Sequence, residues 1–203
     1  MQNIQIEASS RQLLDSQTAT SQSQSKKSRK QGGFSLPELA LVILIGSLLA
    51  GVTALILPGI FANFRANKVI DEFNISIPAI QTAYQNRTSF AGLTTAQVAQ
   101  NGWIGSGFTE ITNGVPTGNL VTQWGTLTFV PVSTNTRAMG TLNNVPSREC
   151  VKISTSFTGD QYLAATVNGT TVKSGVNTID LTAVGTQCSS TATNTITFTF
   201  GRA

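Results

Sequence analysis

KKSRKQGGFSLPELALVILIGSLLAGVTALILPGIF, residues 26–61, opens with four basic side chains (Lys26, Lys27, Arg29, Lys30), passes the pair Gly32 and Gly33, and then turns apolar. Glu38 is the one charge in the apolar part, and from Leu39 to Phe61 nothing ionises. As an α-helix rising about 1.5 Å per residue, this run exceeds the ~30 Å hydrocarbon thickness of a bilayer, so it can span a membrane. Lys and Arg are held on the cytoplasmic side, which sets the amino end inside and everything after Phe61 outside. Arg65 and Lys68 follow the span, but Asp71 and Glu72 stand beside them and no uninterrupted basic cluster forms.

The apolar run is too long for the core of a secretory signal peptide, and no A-x-A-like site follows it. The cleavage feature lies in front instead, where Gly32 and Gly33 offer a peptidase a backbone without side chains. GGFSLPEL, with a basic leader before it and an apolar helix after it, resembles the processing site of type IV prepilins. The resemblance implies that a membrane aspartic peptidase, the prepilin peptidase, cuts between Gly33 and Phe34 and methylates the new amine of Phe34. Pro37 departs from the commonest family pattern. A leader of residues 1–33 resembles the type IVb group, whose leaders are longer than those of type IVa, whereas Phe34 as first mature residue is more typical of type IVa.

Glu38 would be the fifth residue of the mature chain. A carboxylate in hydrocarbon costs up to about 2.5–3.5 kcal/mol at mid-bilayer and therefore needs a partner. The resemblance supplies one, the methylated amine of Phe34 on the same or a neighbouring subunit, which makes Glu38 an assembly residue. Ser35-x-x-Glu38 also has the spacing of a capping box, in which the two side chains satisfy the first free amides of a helix.

Gly46, Ala50 and Ala54 recur every four residues, with Ser47 and Gly51 beside them, a pattern that lets helices approach closely where lipid gives no hydrophobic drive. The same residues also suit a lone anchor. Pro58 removes an amide donor and should kink or open the helix locally, and Pro78 should add a second bend. Beyond Pro58, Ile70, Phe73, Ile77, Ile80 and Tyr84 draw one apolar stripe at helical spacing. Asn63, Arg65, Asn67, Lys68 and Asp71 are too polar for lipid, so the second half of the helix should become the spine of a globular domain.

The chain of 203 residues, 40% apolar, is long enough for one ordinary domain with attachments. Its net charge of +4 is uneven: residues 1–33 hold five basic and two acidic side chains, and the remainder holds eight and seven. The part after residue 33 therefore has no basic face for nucleic acid. Residues 1–31, rich in Ser, Gln and Thr, cannot bury enough apolar surface to order themselves.

After Arg87 the composition shifts to Thr, Gly, Asn, Ser and Val. A threonine cap, helix formers and a glycine stop predict a short helix over 94–102, with Trp103, Ile104 and Phe108 anchoring a glycine-rich loop. TTAQVAQNGWI resembles the same connection in type IVb pilins of the thin conjugative pilus, the PilS-like kind. Trp103 can also be read as a sugar-stacking residue, though loop anchors are commoner. Strands are predicted at 126–132, 162–167, 170–173, 178–183 and 195–200, with Asn168-Gly169 as a type I′ hairpin turn. Residues 148–157 fit a strand by Val151, Ile153 and Phe157, and a short helix by Pro146 and the family resemblance.

Two cysteines, Cys150 and Cys188, fall in the part assigned to the oxidising side, where a pair in a small exported domain is usually bridged. The resemblance makes residues 150–188 the disulfide-bounded D-region of a pilin. A thiol nucleophile or metal site fits poorly, since the chain has no histidine and no C-x-x-C pair. Without histidine neither a Ser-His-Asp nor a Cys-His arrangement is possible, no G-x-x-x-x-G-K occurs, and Glu110, Glu149, Asp160 and Asp180 are scattered singly. No catalytic, cofactor or metal residue is therefore assigned, and an enzyme is not expected.

The resemblance as a whole implies an α+β type IV pilin fold, a long N-terminal helix packed on a mainly antiparallel sheet. Its parts would be a leader (1–33), a transmembrane and assembly helix (34–60), an amphipathic continuation (61–86), an αβ-loop (87–125) and a sheet (126–203). The expected function is a type IVb pilus subunit serving adhesion or conjugation. Its expected partners are further copies in a helical fibre, the prepilin peptidase, an inner-membrane assembly platform and, before assembly, the lipid bilayer. It would stand in the bacterial inner membrane and then in the extracellular pilus. The alternatives are a minor pilin or type II secretion pseudopilin, and a membrane-anchored periplasmic binding protein or adhesin.

Overall fold

The computed structural model describes residues 35–175 and 178–201. The expected leader, with Gly33 and Phe34, lies outside them. The chain divides after Gly46 into two units. In the first, residues 36–46 form the opening turns of helix α1 (Leu36–Ala83), and every side chain there is exposed.

In the second unit α1 continues from Ser47 and passes Pro58 and Pro78 without a break in the helix. Burial sets in at Ala62 and recurs at Ala66, Val69, Phe73, Ile77, Ile80 and, just past the helix, Tyr84. Steps of three and four residues keep these on one side of a 3.6-residue helix. The predicted stripe is thus present, with Ile70 half-buried, and it starts two turns earlier than expected because Ala62 and Ala66 belong to it.

The stripe meets a seven-stranded sheet in the order β1-β2-β3-β4-β7-β5-β6. The strands are β1 (Thr109–Thr112), β2 (Val115–Val121), β3 (Thr126–Val132), β4 (Arg137–Pro146), β5 (Tyr162–Val167), β6 (Thr170–Ser174) and β7 (Thr193–Gly201). All neighbouring pairs are antiparallel. The last strand lies between β4 and β5, so its alternating Asn194, Ile196, Phe198 and Phe200 face the deepest part of the core. Phe198 lies 4.8 Å from Phe73 of α1 and 5.2 Å from Phe157, centroid to centroid. Emptying such a buried phenylalanine site to alanine costs about 3–5 kcal/mol, so this cluster ties α1 to the sheet.

Local chemistry explains the smaller elements. Helix α2 (Thr95–Gln100) starts where Thr94 Oγ1 accepts the amide of Gln97 at 3.2 Å, and it stops before Gly102 at φ +66°. Asn168 and Gly169 both have positive φ, 51° and 82°, as a type I′ turn requires. The segment after Pro146 is helix α3 (Ser147–Thr155), with Pro146 as its extended N-cap. Residues 178–183, predicted as a strand, are not one. Asp180 Oδ1 accepts the amide of Ala183 at 2.9 Å and starts helix α4 (Leu181–Ser190). The span 87–125, named the αβ-loop above, holds the predicted short helix as α2, together with a 3-10 turn (Ser106–Phe108), β1 and β2.

Candidate functional site

From Leu36 to Phe61 the large apolar side chains of α1 are exposed, Leu36 by 84% and Leu55 by 82%. The helix is long and apolar enough to cross a membrane by length and composition, and its most apolar 18-residue window has no buried residue. Apart from the helix's own backbone and adjoining residues, no described heavy atom lies within 4 Å of where a Cβ would stand on Gly46, and the same holds for Gly51. These positions leave the backbone open to a partner helix. At the helix start, Glu38 Oε2 accepts the backbone N–H of Ser35 at 2.9 Å. That is one half of the capping box, so the local use of Glu38 is realised in the single chain.

Three polar ties fasten α1 to the domain. Arg65 Nη2 donates to Glu149 Oε1 on α3 at 2.6 Å, and this carboxylate is only 2% exposed. Glu72 Oε1 accepts the backbone N–H of Gly105. A Cβ at Gly105 would stand 2.8 Å from Glu72 Oε2 and push that flexible carboxylate aside. Lys68 Nζ lies 5.7 Å from the ring centre of Phe108. Partners 84 positions apart, such as Arg65 and Glu149, leave no local signal, and the sequence reading missed this pair.

Cys150 of α3 and Cys188 of α4 are joined as expected, with Cα atoms 5.7 Å apart and both residues buried. Asn194, 1% exposed, knits the surroundings. Its Nδ2 donates to Val145 O (3.3 Å) and Cys188 O (3.2 Å), while its Oδ1 accepts from Asn168 Nδ2 (2.7 Å) and Thr191 Oγ1 (3.0 Å). Buried Lys173 donates to the carbonyls of Thr158 (3.3 Å) and Gly159 (3.2 Å), closing the loop between α3 and β5 onto edge strand β6. Neither Asn194 nor Lys173 stands out in sequence, because both lie in Thr- and Asn-rich runs.

The other singled-out residues have structural places. Trp103 is half-buried, packs against the core and meets Tyr84 edge-on at 6.0 Å, while Ile104 and Phe108 are buried. Glu149 is spent on Arg65 and Asp180 on its helix cap. Exposed Glu110 accepts from Asn119 Nδ2 at 2.8 Å and Thr117 Oγ1 at 2.7 Å, and these bonds hold its carboxyl below the usual range.

Residues 65–201 match the PilS N-terminal family. No curated protein matches the chain. Among solved structures, the type IVb pilin of Salmonella typhi is similar at TM-score 0.50 and 17% identity, over 66% of this chain and 97% of that one. The type IV pilin TcpA of the Vibrio cholerae El Tor biotype matches at TM-score 0.43 and 19% identity, over 66% and 98%. With the family match covering more than half of its length, and the long helix laid against an antiparallel sheet, this chain belongs to the PilS N-terminal family and has the type IVb pilin fold.

Proposed function

We propose that this chain is the structural subunit of a type IVb pilus, cut between Gly33 and Phe34, methylated on the new amine, and assembled through the first half of α1. The observation that carries this is the unbroken exposure of apolar side chains from Leu36 to Phe61 on a helix whose continuation is packed on the domain. Such a surface must be covered. Lipid covers it while the subunit stands in the inner membrane with its amino end cytoplasmic, and the same helices of other subunits cover it in the fibre. Removing the leader takes away the basic cluster that holds the amino end inside, and it places a positive amine close to Glu38. Adhesion and conjugation are the uses that fit such a fibre. The peptidase and an inner-membrane assembly platform are its partners.

Replacing residues 39–57 by an unrelated apolar helix of equal length tests this. The subunit should stay in the membrane fraction and vanish from sheared surface fibres. Fibres that persist with the foreign helix would reduce α1 to a tether and favour an anchored binding protein or adhesin.

A further inference from the structure

Beside α1, where Arg65 and Lys68 follow the apolar run, the domain forms a small cavity of about 20 Å³ lined by these two residues, Phe108, Thr122 and Trp124, among others. Arg65 Nε and Trp124 Nε1 are both buried donors with no hydrogen-bond acceptor among the described residues. Arg65 already gives Nη2 to Glu149. Lys68 adds a cation over the ring of Phe108, with Asp71 and Glu72 one turn further along α1, and no acid lines the cavity itself. Trp124 is held there by the β2–β3 turn, in which Thr122 Oγ1 accepts the amides of Trp124 (3.4 Å) and Gly125 (3.1 Å). Buried donors left unpaired are costly, and two of them converging beside a lysine favour an acceptor that carries negative charge, an oxyanion, over a neutral one. Room for about one water-sized atom admits a single oxygen and leaves the rest of the anion at the mouth with Lys68.

Depth identifies the anion. Arg65 lies four residues past Phe61, about 6 Å along the helix axis. Trp collects at this level, where the hydrocarbon ends and headgroups begin, and long Lys and Arg side chains near a helix end reach it. We propose that the cavity takes one non-bridging phosphate oxygen of a phospholipid headgroup while the subunit waits in the outer leaflet of its membrane, and gives it up on assembly. The proposal rests on reading α1 as a membrane span.

The test uses the full chain in maltoside micelles, with Trp103→Phe so that Trp124 is the one remaining tryptophan of two. Short-chain phosphatidylglycerol, an alkyl glucoside of matched chain length and inorganic phosphate are titrated separately while Trp124 emission is read. Phosphatidylglycerol should give a saturable change. Exposed Lys68, changed to Gln, should weaken it about fivefold, the worth of one partly exposed ion pair, with unaltered thermal unfolding.

An equal response to the glucoside would assign the effect to the tail, and an equal response to inorganic phosphate would assign it to a free anion. A change that follows protein concentration alone would give the pocket to a carboxylate of a second copy. Each of these, or no effect of Lys68→Gln, overturns the proposal. Resistance of the chain to carbonate washing of membranes reports the underlying span separately. A chain that resists washing but shows no phosphatidylglycerol response refutes the lipid site alone.

Discussion

Glu38 has two possible partners, and substitution separates them. Its carboxylate accepts the N–H of Ser35 in the single chain, and glutamine can accept the same bond with its carbonyl. Glu38→Gln therefore keeps the helix start and removes only the charge. Cleavage should proceed while sheared fibres and N-methylation are lost, as read by immunoblot of the shear fraction and mass of the amino terminus. Wild-type fibres from Glu38→Gln would reduce the residue to a cap. Tyr162 gives a second prediction. Burial pushes its phenol from 10.0 up to about 12. Below pH 10 the ring is neutral in both folded and unfolded chains. Between pH 10 and 12 the unfolded chain gives up the proton and the folded one keeps it. Stability should therefore fall as pH rises across that window, by up to ~2–3 kcal/mol. Tyr162→Phe should flatten this fall in urea unfolding measured at several pH values.

Among the elements, the disulfide joins α3 to α4 across 38 positions. On the chain-entropy model such a loop stabilises by about 4 kcal/mol. Changing Cys150 and Cys188 together to serine should lower the urea midpoint accordingly and steepen the slope, because the unfolded chain loses a cross-link and exposes more surface. An unaltered midpoint would show that the Asn194 network and the Arg65–Glu149 pair hold the region alone. Elements were legible in sequence where side chains announce them: α1 by its stripe, β3 by alternation, the β5–β6 hairpin by Asn168-Gly169. Strand β4 was not, for two physical reasons. Gly140 stands where a Cβ would collide with the ring of Phe198, so the strand carries no large residue at that inward position. After Leu142 a bulge with Asn144 at φ +59° shifts the inward positions to Val145 and breaks the alternation. Residues 178–183 failed in the opposite way. Ile179 and Leu181 alternate like a strand, but the Asp180 cap bond to Ala183 starts a helix whose buried face is Val184 and Cys188. Gly114 in the turn after β1, with Pro116 and Gly118 in β2, reads as loop in sequence, although β2 pairs with β3 and β1 pairs with β2.

For the whole molecule, one continuous helix serves two environments. Within the second unit its turns from Ala62 onward bury one side in the core, and the large apolar side chains from Leu36 to Phe61 are exposed. This division was readable from residue types alone, because the long apolar run closes at Phe61 and polar side chains begin at Asn63 and Arg65. The row of small residues at Gly46 and Gly51 was visible as pattern, whereas the ties at Arg65, Glu72 and Asn194 depend on residues brought together only by folding.

The central claim is that loss of the leader creates the assembling subunit, and intact mass with terminal sequencing of the protein recovered from sheared fibres tests it most directly. The account predicts a chain that begins at Phe34, carries one added methyl group on its amine and is oxidised at Cys150 and Cys188. A chain still beginning at Met1, or an unmodified amine in assembled fibres, would contradict it.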